Sequence, residues 1–235
     1  MRTLREPYVV SDMRLLDARD VCVHRVRFEK RVAADRMGVA PGACGTSVGF
    51  VVRDANVDAG TVTEFLDRLA ARTPTPAGGS VAALCTAQAA ALVAMVARYC
   101  DAPALVTRAE GLVAQAQQLV ADDERAFGAV ADAWAIPRGR SSDEERRSAI
   151  GEALLGASEP QAQVVETAIE VLVLIDLLRP AARSGLLSDL VAAGEVARAG
   201  SAIARMNVES NVRTLPDSEG RSRLLRRMGV TKERA

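Results

Sequence analysis

The sequence predicts an all-α fold, a multi-helix bundle of about six helices that follows a poorly defined N-terminal extension. Aromatic residues make up only 3% of the chain, whereas alanine is abundant, and this composition favours closely packed helices over sheets. From about residue 60 onward, apolar residues recur every three or four positions, as in amphipathic helices. Short segments rich in proline, glycine and serine separate these periodic stretches, which is typical of a bundle.

Residues 1–58 differ from the rest of the chain. They contain the only histidine, His24, two of the four cysteines, and several glycines. Two short runs, VCVHRV (residues 21–26) and SVGFVV (residues 47–52), have the composition of strands. We interpret residues 1–58 as an extension, either disordered or forming a small hairpin. Residues 59–235 are predicted to form the helical domain.

Two helices are predicted at the start of the helical domain. Thr61 or Thr63 can cap a helix whose apolar stripe is Phe65, Leu66 and Leu69, and which ends before the TPTP segment at residues 73–76. Residues 80–97 then run for eighteen positions without a charge, long enough to span a membrane. Because alanine gains little in lipid, a buried bundle helix is the preferred interpretation.

Five further segments complete the domain. A third helix is predicted from Pro103 to about residue 136, followed by a polar loop at residues 138–142. Ser142 is the predicted cap of a fourth helix, with Glu145 three residues later. A fifth helix is expected to begin near Pro160, because proline is tolerated in a first turn. A sixth is expected from Ser188 to about residue 211, and a short charged helix or tail closes the chain.

Charge and cysteine usage limit the possible functions. The formal net charge is zero, which predicts neither a nucleic-acid partner nor binding to an anionic membrane. The four cysteines form no CxxC pair and only one histidine is present, so the sequence predicts no zinc site. The first residues contain charges rather than an apolar core, so we expect no signal peptide and a reduced, cytoplasmic protein.

The most informative residue is Asp123. On the third helix it falls within an apolar stripe formed by Ala116, Val120, Phe127, Val130 and Trp134. A carboxylate on a core-facing stripe is costly unless it is paired or hydrogen-bonded, and burial raises its pKa. Two interpretations remain open: a general acid/base, or a buried ion pair with an arginine from another helix.

The AGGS turn at residues 77–80 is a second candidate. Consecutive glycines before a helix allow a ligand to approach the backbone closely, and the free N–H groups attract an anionic or carbonyl oxygen. Gly78, Gly79 and Ser80 are therefore candidate binding residues. A tight turn with Ser80 as the N-cap is the structural alternative.

Three further polar positions lie near predicted helix ends or stripes. Ser188 can cap its helix and Asp189 suits the first turn, so both have a structural interpretation. Asn207, on the same helical segment, has an amide that needs partners if it is buried. Asp176 is expected to pair with Arg179 three residues later.

Taken in order, these segments resemble the C-terminal domain of the formiminotransferase-cyclodeaminase family. EFLDRL (residues 64–69) and PTPAGGSVAA (residues 74–83) are similar to that domain's opening, where the second run typically reads PxPGGGSVAA. Asp123 followed by Ala126-Phe127, Ser188-Asp189 within a Leu-Ser-Asp motif, and Asn207 as the second asparagine of NVxxN complete a resemblance over about residues 60–215. Two positions depart from the pattern: Ala77 replaces a glycine, and Ile203 replaces the first asparagine.

The resemblance implies a homodimer or larger homo-oligomer that binds folate near the glycine turn. A tetrahydrofolate derivative is the implied substrate, with no separate cofactor. Asp123 is then the implied acid/base, and Asp189 shares the proton transfer or orients the pterin. Gly78, Gly79, Ser80 and Ser188 shape the binding site, and Asn207 donates a hydrogen bond to the ligand or to a neighbouring helix.

Two reactions follow from this resemblance. A cyclohydrolase opens 5,10-methenyltetrahydrofolate with water to give 10-formyltetrahydrofolate, and a cyclodeaminase closes 5-formiminotetrahydrofolate with release of ammonia. The cyclohydrolase is preferred because the sequence leaves no room for a formiminotransferase domain beside the helical one. A non-catalytic folate-binding or oligomeric helical protein is the further alternative, motivated by Ala77 and Ile203.

Overall fold

The computed structural model describes residues 61–139 and 143–229, and within them the prediction of an all-α fold is confirmed. These residues form six α-helices: α1 (Val62–Ala70), α2 (Gly78–Tyr99), α3 (Pro103–Ala135), α4 (Asp143–Leu178), α5 (Leu187–Val212) and α6 (Glu219–Arg227). A single 3-10 turn, Ser184–Leu186, precedes α5. The predictions for residues 1–58 and for Ser142 as a cap lie outside the described residues.

The short helix α1 begins at a capping box. Thr61 accepts a hydrogen bond from the backbone N–H of Glu64, and the Glu64 carboxylate in turn accepts from the backbone N–H of Thr61. Of the two threonines considered from sequence, Thr61 is therefore the cap. Phe65 is buried as predicted, but Leu66 is 53% exposed because α1 covers the bundle with only a narrow face.

The four long helices α2, α3, α4 and α5 form the bundle, and α2 packs against the other three. Alanine and valine dominate the buried positions of α2: Ala82, Ala83, Ala87, Ala89, Ala90, Val93, Ala94, Val96 and Ala97. Such small side chains let neighbouring helices approach closely. Helix α2 is long and apolar enough to cross a membrane, but 61% of its most apolar stretch is buried, as the bundle interpretation predicts.

Helix α5 packs tightly against α2 at Gly200. A Cβ atom on Gly200 would lie 2.8 Å from the backbone oxygen of Ala82 and 2.7 Å from Oγ1 of Thr86. The Thr86 hydroxyl donates to that same oxygen at 3.0 Å, so neither group can move away freely. The two helices can therefore pack at this distance only because Gly200 has no side chain.

We expect Gly200→Ala to lower the free energy of unfolding by about 1–3 kcal/mol, the usual cost of overpacking a core. Gly111→Ala is the matched control, since Gly111 is also within a helix but has no neighbouring atom within 4 Å of the added methyl group. This control should stabilise by up to about 1 kcal/mol through helix propensity. Urea unfolding measures both changes, and equal effects would contradict the proposed packing.

Helix α4 corrects the predicted boundary at Pro160. A single helix runs from Asp143 to Leu178 with Pro160 inside it, so the two predicted helices are one. Proline lacks the N–H that would bond to the carbonyl of residue 156, four positions earlier. That residue is Gly156, which is exposed, so its carbonyl can bond to water instead. Pro160 itself is buried among the helices.

The apolar stripe of α3 is shorter than predicted. Val120 and Val130 are buried, but Trp134 is 50% exposed and contacts Phe127 edge-on, with ring centroids 6.2 Å apart. Because Ser80 near the start of α2 lies level with Asp123 of α3, the end of α3 extends beyond α2. The Trp134 ring therefore packs on its own helix rather than beneath a neighbour.

The charged segment near the end of the chain forms helix α6, which packs on α4 and α5. Arg227 donates to Glu166 of α4 at 2.7 Å, and Arg223 donates to Glu159 of α4 at 2.9 Å. Leu224 is buried between them, so α6 is held by an apolar anchor with ion pairs beside it.

Candidate active site

A carboxyl group from α3 meets the first turn of α2. Asp123 accepts a hydrogen bond from the hydroxyl group of Ser80 at 3.0 Å and from Nε2 of Gln161, on α4, at 2.7 Å. Ser80 and Gln161 are fully buried, and Asp123 is partly buried. Three helices therefore place polar groups around one acid. Helix α2 begins at Gly78 with Ala77 as its N-cap, so Ser80 is not the cap, and its hydroxyl group donates to Asp123 instead.

The partners of Asp123 are neutral, and its neighbour Glu124 forms the ion pair. Arg68 of α1 donates to Glu124 at 3.2 Å, and the side chain of Glu124 is only 4% exposed. In the part of the chain that the structure describes, no cation pairs with Asp123. The buried ion pair that sequence reasoning considered for Asp123 thus occurs one residue later.

Burial raises the pKa of Asp123 above the ordinary value of an aspartate, and the hydrogen bonds from Ser80 and Gln161 offset part of that rise. Burial also raises the pKa of Glu124, although Arg68 acts in the opposite direction. A carboxyl group with a raised pKa and no counter-ion holds a proton more readily than an ordinary aspartate, which suits a general acid/base.

Gly79 lies against this carboxyl group. A Cβ atom on Gly79 would overlap the carboxyl group of Asp123 and lie 2.5 Å from Nε2 of Gln161. At Gly78 the nearest side-chain atom would be Cγ2 of Ile203 at 4.0 Å, an ordinary contact. The two glycines of the turn therefore have different roles: Gly79 makes room for the Asp123 carboxyl group, and Gly78 does not.

An amide from α4 links Asp123 to α5. Oε1 of Gln161 accepts a hydrogen bond from Nδ2 of Asn207 at 3.4 Å, while Nε2 of Gln161 donates to Asp123. Sequence reasoning found Asn207 but missed Gln161. The signal was available, because Gln161 precedes the buried Val164 and Val165 by three and four residues, as Asp123 follows Val120.

Ser188 and Asp189 lie at the other end of the bundle. Eighteen residues of the continuous helix α5 separate Asp189 from Asn207, a distance of about 27 Å along its axis. Helix α5 begins at Leu187 with Leu186 as its N-cap, so the prediction of Ser188 as a cap is wrong: the preceding 3-10 turn leads directly into the helix. Within one chain the structure brings together Gly79, Ser80, Asp123 and Asn207, but not the Ser-Asp pair.

Comparison with known proteins shows which family the chain belongs to. The profile of the formiminotransferase-cyclodeaminase family matches residues 61–229. The chain belongs to this family. It is 33% identical over 169 residues to the methenyltetrahydrofolate cyclohydrolase of Methylorubrum extorquens, a match that covers 67% of this chain and 81% of that protein.

Two other relatives complete the comparison. Over 165 residues the chain is 30% identical to the formimidoyltransferase-cyclodeaminase of Mus musculus, which covers 65% of this chain and only 30% of the mouse protein. The crystal structure of formiminotetrahydrofolate cyclodeaminase from Thermotoga maritima superposes with a TM-score of 0.67 and 23% identity, covering 74% of this chain and 89% of that one. That structure supports the helical fold alone.

Both departures from the family pattern fit the backbone. Ala77 has φ −141° and ψ −160°, an extended conformation that any residue adopts, so no glycine is needed there. Ile203, one turn before Asn207, is partly buried beside Gly78 and brings no polar group to the cluster. Ala77 therefore puts no strain on the turn, and Ile203 is an apolar neighbour of Gly78.

Proposed function

We propose that this chain is a methenyltetrahydrofolate cyclohydrolase, which opens 5,10-methenyltetrahydrofolate with water to give 10-formyltetrahydrofolate. The observation that carries the proposal is the Asp123 carboxyl group, held by the neutral Ser80 and Gln161 and without a cation among residues 61–139 and 143–229. The 33% identity to a cyclohydrolase, over 81% of that protein's length, supports this reaction in particular.

The chemistry needs one group that accepts a proton and later returns it. The Asp123 carboxylate would accept a proton from water as its oxygen adds to the cationic methenyl carbon, leaving a neutral adduct and a protonated Asp123. The protonated Asp123 then donates to N5 of the pterin as the bond from that carbon to N5 breaks. The hydroxyl proton of the adduct leaves to solvent as the formyl group forms on N10, so the sum releases one proton.

An open groove of about 660 Å³ runs between α3 and α4, along the part of α3 that follows Asp123. Its walls include Ala126, three residues after Asp123, and Ala157, four residues before Gln161. Alanines and Gly156 make most of its surface apolar, and its volume is in the range of small-molecule sites. We assign the flat pterin ring to the end of this groove nearest Asp123.

We further propose that the functional form is a homodimer or larger homo-oligomer. Exposed apolar side chains lie on the second half of α4 and the first half of α5: Ile169, Val173, Leu177, Leu187 and Val191. A contiguous apolar surface of this kind favours association. A second copy would also offer a way to bring Ser188 and Asp189 to the Asp123 cluster, from which they are distant within one chain.

Val173→Glu should convert the oligomer to a monomer, because it buries an unpaired charge at the centre of the proposed interface. Light scattering coupled to gel filtration measures the mass against the 24.8 kDa of one chain. Gln163→Glu, an exposed position on the same helix, is the control and should leave the mass unchanged. A wild-type monomer would refute the oligomer, and an unchanged mass for Val173→Glu would refute this interface.

The cyclodeaminase reaction is the second candidate, favoured by the matches to the rodent formimidoyltransferase-cyclodeaminases. Two assays of the purified chain separate the candidates: loss of methenyl absorbance, and its formation from 5-formiminotetrahydrofolate. We expect the first to be accelerated by the chain. Activity only in the second would reverse the assignment. Activity in neither, with folate binding by calorimetry, would favour the non-catalytic alternative. A cytoplasmic location, where tetrahydrofolate derivatives are available, completes the proposal.

A further inference from the structure

Gln161 lies between Asp123 and Asn207. It is 1% exposed, and both ends of its amide group are used: Nε2 donates to Asp123 at 2.7 Å, and Oε1 accepts from Asn207 at 3.4 Å. A buried amide retained inside a four-helix core is costly unless its groups are bonded, and here the bonds are made to site residues.

The orientation of this amide follows from its partners. A carboxylate offers only acceptors, so the amide nitrogen must face Asp123 whenever Asp123 is ionised. The carbonyl oxygen then faces α5 and needs a donor, which Asn207 supplies. The amide of Asn207 thus reaches Asp123 only through Gln161, and the orientation of both amides depends on the charge of Asp123.

We propose that Gln161 is a positioning residue that fixes the Asp123 carboxyl group and favours its ionised form. The proposal rests on the proposed role of Asp123 as the acid/base, but the hydrogen bonds can be tested without substrate. The groups that contact the Asp123 carboxyl group from α2 and α4 are neutral. Glu124, the next residue on α3, interacts electrostatically with Asp123 and pairs with Arg68 on α1.

Carbon NMR of the Asp123 carboxyl group, titrated in the full chain, is the direct test. Gln161→Met keeps the length of the side chain and removes both hydrogen bonds, so the pKa of Asp123 should rise by about one unit relative to the wild type. Gln163→Met, an exposed glutamine on the same helix, should leave this pKa unchanged. An unchanged pKa of Asp123 in Gln161→Met would overturn the proposal.

Gln161→Glu provides a second variant with a different signature. The introduced carboxyl group and Asp123 would share one proton, so the pair should titrate in two separated steps, the upper one well above the wild-type pKa. A protonated introduced carboxyl group can still donate to Asp123 and accept from Asn207. Turnover of this variant should therefore be confined to the pH range between the two steps, where the pair holds one proton, and be lost as the pH rises through the upper step. A single unshifted titration would overturn the proposal.

The wild-type chain itself gives a test that does not depend on folding of a variant. The side-chain amide resonances of Gln161 and Asn207 should move together with the Asp123 titration, whereas those of Gln163 should not. A flat Gln161 resonance would overturn the proposal. If these signals shift as expected but methenyltetrahydrofolate is not turned over, the positioning role stands and the proposed reaction fails. If methenyltetrahydrofolate is turned over but the Gln161 resonance does not follow the Asp123 titration, the proposed reaction stands and the positioning role fails.

Discussion

Asp123→Asn should abolish turnover of methenyltetrahydrofolate while leaving the helical fold intact. Loss of a general acid/base costs about 10²–10⁴-fold in rate, and we expect kcat to fall by that factor with little change in KM. The asparagine is nearly isosteric: its Oδ1 can accept from Gln161, and its Nδ2 can donate to the hydroxyl group of Ser80. Steady-state kinetics and circular dichroism measure the two parts of this prediction.

The same variant has an expected pH dependence of stability. Burial raises the pKa of Asp123 in the folded state above the unfolded value of about 3.9. The folded wild type thus binds this proton more tightly than the unfolded chain, and its stability falls as the pH rises from about 4 through the raised pKa. Asp123→Asn lacks this loss, so its stability relative to the wild type should increase across that window.

Asp122→Asn is the control for both measurements. Asp122 is adjacent but pairs with Arg125 at 2.9 Å on the solvent-facing side of α3. Losing this surface ion pair costs about 0–1 kcal/mol and should not change turnover. An active Asp123→Asn variant would remove Asp123 from the mechanism, whatever its effect on stability.

Gly79→Ala should be the most damaging change at the turn. The added methyl group would overlap the Asp123 carboxyl group and crowd Nε2 of Gln161, which are held against each other. We expect the carboxyl group to be displaced by about 1 Å, with a loss of about 10²-fold in kcat. The strain should also lower the free energy of unfolding by about 1–3 kcal/mol.

Gly78→Ala is the matched control, one residue earlier in the same turn of α2. Its methyl group would meet only Ile203, at an ordinary contact distance of 4.0 Å. Activity should stay within a few-fold of the wild type, because the Asp123 carboxyl group is not touched. Parallel kinetics and urea unfolding distinguish the two variants, and equal losses would mean that the turn needs both glycines for another reason, such as substrate contact.

The helical period of the sequence was sufficient to locate Asp123, because an acid on an apolar stripe is visible without coordinates. The same period placed Gln161 on the buried stripe of α4, but an amide is less conspicuous than a charge and was missed. That Glu124, not Asp123, pairs with Arg68 could not be predicted. The pairing depends on where α1 crosses α3, which is a tertiary property.

Helix boundaries were the weaker part of the sequence prediction. Pro160 was expected to start a helix, yet it lies inside α4, where the exposed Gly156 tolerates the missing hydrogen bond. Ser188 and Asp189 were grouped with Asp123 through resemblance to the family. Helical rise alone places them about 27 Å from Asn207 along α5, a separation that a motif in sequence order does not reveal.

In the proposed mechanism, the partly buried Asp123 carboxylate accepts the proton of the attacking water during methenyltetrahydrofolate hydrolysis. The most direct test is the pH dependence of kcat/KM for this reaction with the wild-type chain. We expect kcat/KM to fall as the pH drops through one ionisation, whose pKa should agree with the raised pKa of Asp123 measured by NMR and by the stability difference of Asp123→Asn. A rate that is independent of pH across that window, or one that follows a different pKa, would contradict this mechanism.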